Sequence, residues 1–217
     1  MIDEVRRRIA AACERAGRER SEVKLVAVTK GHPVAEIEER VVDEGCLVLG
    51  ESRLQEWRAK EAELTGRGIE WHLIGNLQRN KIKYCLPFHT IHSLNSRRLA
   101  DALQAYGERS DHRFRVLVEV NVAGEESKLG IGVEEAAELV AYARALPNLQ
   151  VAGLMTMAPH YDDPEQARPV FRGLRGLRDK LGLVELSMGM SNDFEVAVEE
   201  GATIVRVGSA LFDGSDA

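Results

Sequence analysis

Eight short apolar runs, each followed by a helix-like or terminal segment, recur along this chain and leave few folds open to it. The runs are 23–30, 46–50, 69–74, 90–93, 115–122, 151–157, 184–188 and 203–207. They are rich in Val, Ile and Leu and are bounded by Gly, Pro or polar residues, as strands buried on both faces are. Helical spacing fills the gaps: a leading helix over 2–16, then helices near 34–44, 52–64, 80–85, 96–105, 133–145, 162–182 and 193–200. The pattern predicts an α/β chain that folds as a single-domain (β/α)8 TIM barrel over residues 1–217, with an extra N-terminal helix. A doubly wound open sheet uses the same alternation. Against it, no G-x-G-x-x-G or G-x-x-x-x-G-K-[ST] follows any strand, so the common nucleotide grips are missing.

Composition narrows the function. The 217 residues carry a net charge of −6, whereas nucleic-acid binders are more often basic, so no nucleic-acid partner is expected. The basic clusters Arg6–Arg8 and Arg172–Lys180 are interleaved with apolar residues and read as solvated helix faces. Cys13, Cys46 and Cys85 are odd in number and widely spaced, which points to free thiols in a reducing compartment. No apolar stretch is long enough to span a membrane, and the N-terminus is a charged helix pattern without a signal-peptide core. A cytoplasmic protein with no membrane partner is the expectation.

In a parallel barrel the chemistry collects at the carboxyl ends of the strands. The first predicted strand ends at Lys30, just before Gly31-His32-Pro33. A partly desolvated lysine there can lose its proton and form a Schiff base with an aldehyde; a solvated lysine opening a loop is the plainer alternative. The other strand ends supply Gly50-Glu51-Ser52, His72 with Gly75-Asn76, His92-Ser93, Asn121, Met155-Thr156-Met157, Ser187 to Asn192, and Arg206-Val207-Gly208-Ser209. The last two groups carry most information, because barrels often bind phosphate in the loops after strands seven and eight. Ser191 precedes a predicted helix and is placed to cap it or to donate to an anion. Gly208 lets backbone approach a ligand, and Ser209 adds a hydroxyl. Arg206 lies in an apolar strand, where an unpaired guanidinium is costly, so an anionic partner is expected, either a carboxylate or a ligand phosphate. His72, His89 and His92 match no standard metal spacing, so no metal is expected. Gly124-Glu125-Glu126-Ser127-Lys128 offers a second lysine, but a polar loop after strand five accounts for it.

Ala27-Val28-Thr29-Lys30, Gly50 to Glu56, Trp71 to Lys81, His92-Ser93-Leu94, Gly124 to Lys128, Gly153 to Met157, Leu186 to Ser191 and Val205 to Ser209 together resemble the YggS/PROSC family of pyridoxal-phosphate-binding proteins. These blocks run from the first strand to the eighth. The resemblance implies a TIM barrel related to the N-terminal domain of alanine racemase. It implies pyridoxal 5'-phosphate (PLP) as cofactor, held on Lys30 as a Schiff base, with the phosphate near Ser191, Arg206, Gly208 and Ser209. Ser52, His72, Gly75 and Met155 complete the expected cofactor-binding set. It further implies a role in vitamin B6 homeostasis without established turnover, with PLP-dependent apo-enzymes as recipients. A monomer is expected rather than a dimer. The family more commonly has Asn at Ser52, His at Asn76 and Asp at Asn192, which bears on the tuning of the site.

Two enzyme readings compete. A racemase needs a second acid/base group on the far face of its substrate. In alanine racemases this is a tyrosine of an additional domain; Tyr84, Tyr106, Tyr142 and Tyr161 fall in helical or loop segments and are not obvious substitutes, and the chain ends just past the eighth strand. In class I aldolases the Schiff-base lysine more often comes from a later strand than the first.

Overall fold

The computed structural model describes residues 1–125 and 129–212. Eight parallel strands close into a barrel in sequence order: β1 (Lys24–Val28), β2 (Val48–Glu51), β3 (Glu70–Leu73), β4 (Phe88–Leu94), β5 (Phe114–Glu119), β6 (Leu149–Met155), β7 (Glu185–Ser187) and β8 (Ile204–Val207). β1 closes the ring against β8, with Val26 beside Arg206 and Ala27 beside Val207. The predicted barrel is the observed fold.

The helices are α1 (Ile2–Arg15), α2 (Val34–Ile37), α3 (Leu54–Glu63), α4 (Arg97–Ser110), α5 (Val133–Arg144), α6 (Arg168–Lys180), α7 (Phe194–Glu199) and α8 (Ser209–Phe212). α1 buries Ile2, Val5, Ile9, Ala12 and Cys13, spaced to form one helical stripe. It is tied to α7 by Arg8 and Arg15 on Glu195 and by Arg15 on Glu199. Three expectations differ in detail. The helix predicted at 34–44 passes into a π-helical turn over Glu38–Val42. The segment at 80–85 is a 3-10 helix, Arg79–Tyr84. The first strand ends at Val28, so Lys30 lies in the loop beyond it.

Strand alternation splits the interior in two. Leu25, Ala27, Val116, Leu154, Leu186, Val205 and Val207 face outward into the main core beneath the helices. Val26, Leu117, Met155 and Ile204 form a separate small cluster inside the barrel. The remaining interior is polar: Glu70, Thr90 and Glu185 at the amino ends of the strands, then His72 and His92, then Ser187, Glu119 and Arg206 near the mouth. No helix among the described residues is long and apolar enough to cross a membrane.

Candidate functional site at the barrel mouth

Lys30 is exposed, but the backbone that carries it is pinned. Thr29 N–H donates to the Gly50 carbonyl at 3.1 Å. The Thr29 carbonyl accepts from Lys60 Nζ at 2.6 Å, and Gly31 N–H donates to Glu56 at 3.1 Å. Lys60 also pairs with Glu51 at 2.5 Å, and Glu51 accepts from the Thr29 hydroxyl at 2.8 Å. Glu51 is fully buried and Lys60 nearly so. A charged pair out of water thus clamps the carboxyl ends of β1 and β2 together. Among the described residues no hydrogen bond or ion pair engages the Lys30 amine itself.

Across the mouth, Ser191 Oγ accepts from the backbone N–H of Gly208 at 3.2 Å and of Ala210 at 3.3 Å. Ser191 therefore does not cap the helix that follows it. Asp193 stands before α7 instead, and its carboxylate accepts from Met190 N–H at 2.7 Å. The turn that presents Ser191 depends on Gly189, which has φ +92°; a Cβ there would lie 2.6 Å from that of Ala197. His32, just after Lys30, stacks on Phe212 at 3.9 Å between ring centroids and brings α8 beside the Lys30 loop. Ser209, the first residue of α8, is exposed.

Arg206 is buried inside the barrel, and its direct hydrogen-bond partners are groups of the protein itself. Nη1 donates to Ser187 Oγ at 2.7 Å and Nη2 to the Thr156 carbonyl at 3.0 Å. Both acceptors are neutral. Burial pushes the guanidinium down to about 10, opposed by the charges of Asp193 and Glu119. No hydrogen bond joins Arg206 to the Ser191–Gly208 cluster among the described residues.

The other expected residues separate into distinct places. Met155 belongs to the apolar cluster inside the barrel. His72 is fully buried, and both ring nitrogens are engaged, Nδ1 with His92 at 2.7 Å and Nε2 with Glu70 at 2.8 Å. Gly75 serves packing: a Cβ there would lie 2.1 Å from the Ser52 carbonyl oxygen, so glycine lets the two loops touch. Ser52 lines a cleft of about 610 Å³ with Arg53, Arg58, Asn76, Lys81 and Tyr84. Asn192 donates to the Tyr161 carbonyl at 2.8 Å. Of the segment Gly124–Lys128, Glu126, Ser127 and Lys128 lie outside the described residues. Tyr142 bonds Asp101 on the outer surface and Tyr106 packs against Phe114, so neither reaches the barrel interior.

Sequence reading missed three features. The Lys60–Glu51 clamp joins a lysine in a charged helical segment to a strand-end carboxylate, and no local pattern links the two. Glu70, His72 and His89 converge closely enough to hold a cation, but Lys24 Nζ already sits 2.6 Å from Glu70 Oε1. Glu119 is buried with Oε2 lacking a hydrogen-bond partner among the described residues, and burial raises its pKa. A carboxyl whose folded pKa lies above its unfolded value loses stability as pH climbs through that window. Glu119→Gln is therefore expected to raise the melting temperature of the ligand-free protein at pH 8 by about 2–4 °C, the size of a 1 kcal/mol gain in a chain of this length. At pH 4 the two proteins should melt alike. A lower melting temperature for the variant at pH 8 would show that the charge of Glu119 is stabilising.

A closed parallel barrel with a lysine, a hydroxyl–amide cluster and a buried arginine at its carboxyl end defines a recognisable class. Residues 2–216 match the model of the family described as alanine racemase, N-terminal domain, and the chain belongs to that family. It is 47% identical to the pyridoxal phosphate homeostasis protein of Aquifex aeolicus, over 97% of this chain and 95% of that protein. Among solved structures it is similar to PipY of Synechococcus elongatus with PLP bound, at 34% identity and a TM-score of 0.83, covering 96% of this chain and 99% of that one. An alanine racemase of Clostridium difficile shares the fold at 15% identity and a TM-score of 0.73; this chain is covered to 94% and that chain to 54%.

Proposed function

We propose that this protein binds pyridoxal 5'-phosphate at the barrel mouth and holds it on Lys30 for delivery to PLP-dependent apo-enzymes in the cytoplasm, as a vitamin B6 homeostasis protein and not as a catalyst. The observation that carries the reading is the pairing of an uncommitted lysine on a pinned backbone with two N–H groups that converge on one hydroxyl across the same mouth. Relatives named for pyridoxal phosphate homeostasis and a PLP-bound neighbour support it.

The residues present fit the cofactor. The Gly208 and Ala210 N–H groups at the start of α8 already meet an oxygen, that of Ser191, and a phosphate oxygen is a stronger acceptor for the same donors. Ser209 adds its hydroxyl there. When bound, PLP supplies an aldehyde that combines reversibly with an amine and a pyridine ring that can withdraw electrons. Lys30 offers the amine. Because Thr29 and Gly31 are held from both sides, its backbone contributes little further entropy loss on binding. Met155 and Val26, packed in the apolar cluster inside the barrel, would offer the ring an apolar support. At neutral pH Arg206 stays a guanidinium, which would donate to the ring nitrogen and supply no acidic proton to it, leaving that nitrogen unprotonated and weakening the electron withdrawal most PLP catalysis needs.

The alternative is a PLP-dependent racemase of the alanine racemase type. Loaded protein mixed with the apo-form of a PLP enzyme should restore that enzyme's activity, while assays on several amino acids should show no racemisation. Robust racemisation that disappears in Lys30→Ala would replace the carrier by the racemase.

A further inference from the structure

A continuous hydrogen-bonded chain runs through the barrel from its floor to Arg206. Lys24 Nζ donates to Glu70 Oε1 at 2.6 Å, and His72 Nε2 meets the same oxygen at 2.8 Å. His72 Nδ1 lies 2.7 Å from His92 Nε2. His92 Nδ1 lies 2.9 Å from Ser187 Oγ, which accepts from Arg206 at 2.7 Å. The members come from β1, β3, β4, β7 and β8, and His72, His92, Ser187 and Arg206 are buried.

The chemistry of the two ends fixes every proton between them. The hydrogen bond from His72, with that from Lys24, holds Glu70 at about 2, so the carboxylate is ionised and can only accept. His72 Nε2 must then carry hydrogen. Burial holds both His72 and His92 below the ordinary histidine range, so each is a neutral ring with one N–H. His72 Nδ1 is therefore an acceptor, and His92 Nε2 must be its donor. His92 Nδ1 is in turn an acceptor, so the Ser187 hydroxyl donates to it. That direction leaves the oxygen lone pairs of Ser187 for Arg206, which can only donate. The requirements of the carboxylate and of the guanidinium agree. With the opposite tautomers, His92 Nδ1–H would also donate to Ser187 and its hydroxyl hydrogen would have to find another acceptor in a dry interior.

We propose that Glu70 is a positioning residue for the cofactor site: its charge at the barrel floor selects the Nε2–H tautomers of His72 and His92 and thereby turns the Ser187 hydroxyl away from Arg206, holding the guanidinium toward the mouth. What Arg206 faces there rests on the PLP reading above; the direction of the chain does not. Among the described residues no hydrogen bond or ion pair joins Glu70 to Lys30 or to the Ser191 cluster, and this chain connects it to Arg206.

The test is 15N NMR of the ligand-free protein with labelled histidine, alongside titration with PLP. In the wild type at pH 7, His72 and His92 should both be single, neutral Nε2–H tautomers. Glu70→Gln can donate as well as accept, so at least one of the two rings should acquire an Nδ1–H population. Ser187→Ala should leave both tautomers as in the wild type, because the floor sets them. Both variants should bind PLP about three- to tenfold more weakly, the ratio for one net hydrogen bond, with a displaced visible maximum. An Nδ1–H tautomer or an imidazolium in the wild type would overturn the proposal, and that measurement needs no variant to fold. It would also fall if Glu70→Gln kept the wild-type tautomers and spectrum. Should the wild type bind no PLP, the PLP reading fails alone, and the tautomers still decide the direction of the chain.

Discussion

Lys60→Ala is expected to cost this protein about 3–5 kcal/mol of stability, the range for removing one partner of a buried ion pair. The melting temperature should fall by about 10 °C, at 2–4 °C per kcal/mol for a chain of this size. The cause is the charge left behind. Glu51 is fully buried, and Lys60 Nζ at 2.5 Å is its cationic partner. The Thr29 carbonyl would lose its donor as well. Replacing both members, Lys60→Met with Glu51→Leu, should recover much of the loss, because two apolar side chains leave no buried charge unpaired. Thermal unfolding of the single and double variants checks this. A single variant within 2 °C of the wild type, by the same scaling, would mean that water reaches Glu51 and that the pair is not the clamp described here.

Lys30→Ala is expected to remove the visible absorption of PLP-loaded protein and to weaken PLP binding by at least about a hundredfold, the scale of losing some 3 kcal/mol. The fold should be untouched, since the Lys30 side chain is exposed and makes no hydrogen bond among the described residues. Stability in the absence of PLP should therefore match the wild type. The contrast with Lys60 is diagnostic: one lysine serves the ligand and the other serves the frame. Binding of PLP to Lys30→Ala with wild-type affinity and colour would move the anchor elsewhere.

Much of the barrel is legible in the sequence because strands covered on both faces must be apolar for several residues and must stop at Gly or Pro. The runs 23–30, stopped by Gly31, and 203–207, stopped by Gly208, show this plainly. The strand ends were harder. The run through Thr29 and Lys30 looks continuous with β1, but the strand ends at Val28, and the Thr29 hydroxyl and carbonyl are engaged by Glu51 and Lys60. Lys30, Ser191 and Gly208 could be placed at one mouth because parallel strands send all their carboxyl ends to the same side. The internal chain could not be seen in this way. Glu70 and His72 are neighbours on one strand face, but Lys24, His92 and Ser187 join them only through the barrel register, which no local pattern encodes. Arg206 shows the same limit. Its burial is foreseeable, whereas its bonds to the Ser187 hydroxyl and the Thr156 carbonyl depend on how the barrel brings β7 and the end of β6 within reach.

The most direct test of the central claim is reductive trapping on the wild-type protein. The chain is loaded with PLP, treated with borohydride, digested, and mapped by mass spectrometry. The account predicts one pyridoxyl-modified peptide, that containing Lys30, with Lys60 unmodified because it is buried against Glu51 and Thr29. Modification spread over many surface lysines, or none at Lys30, would contradict it.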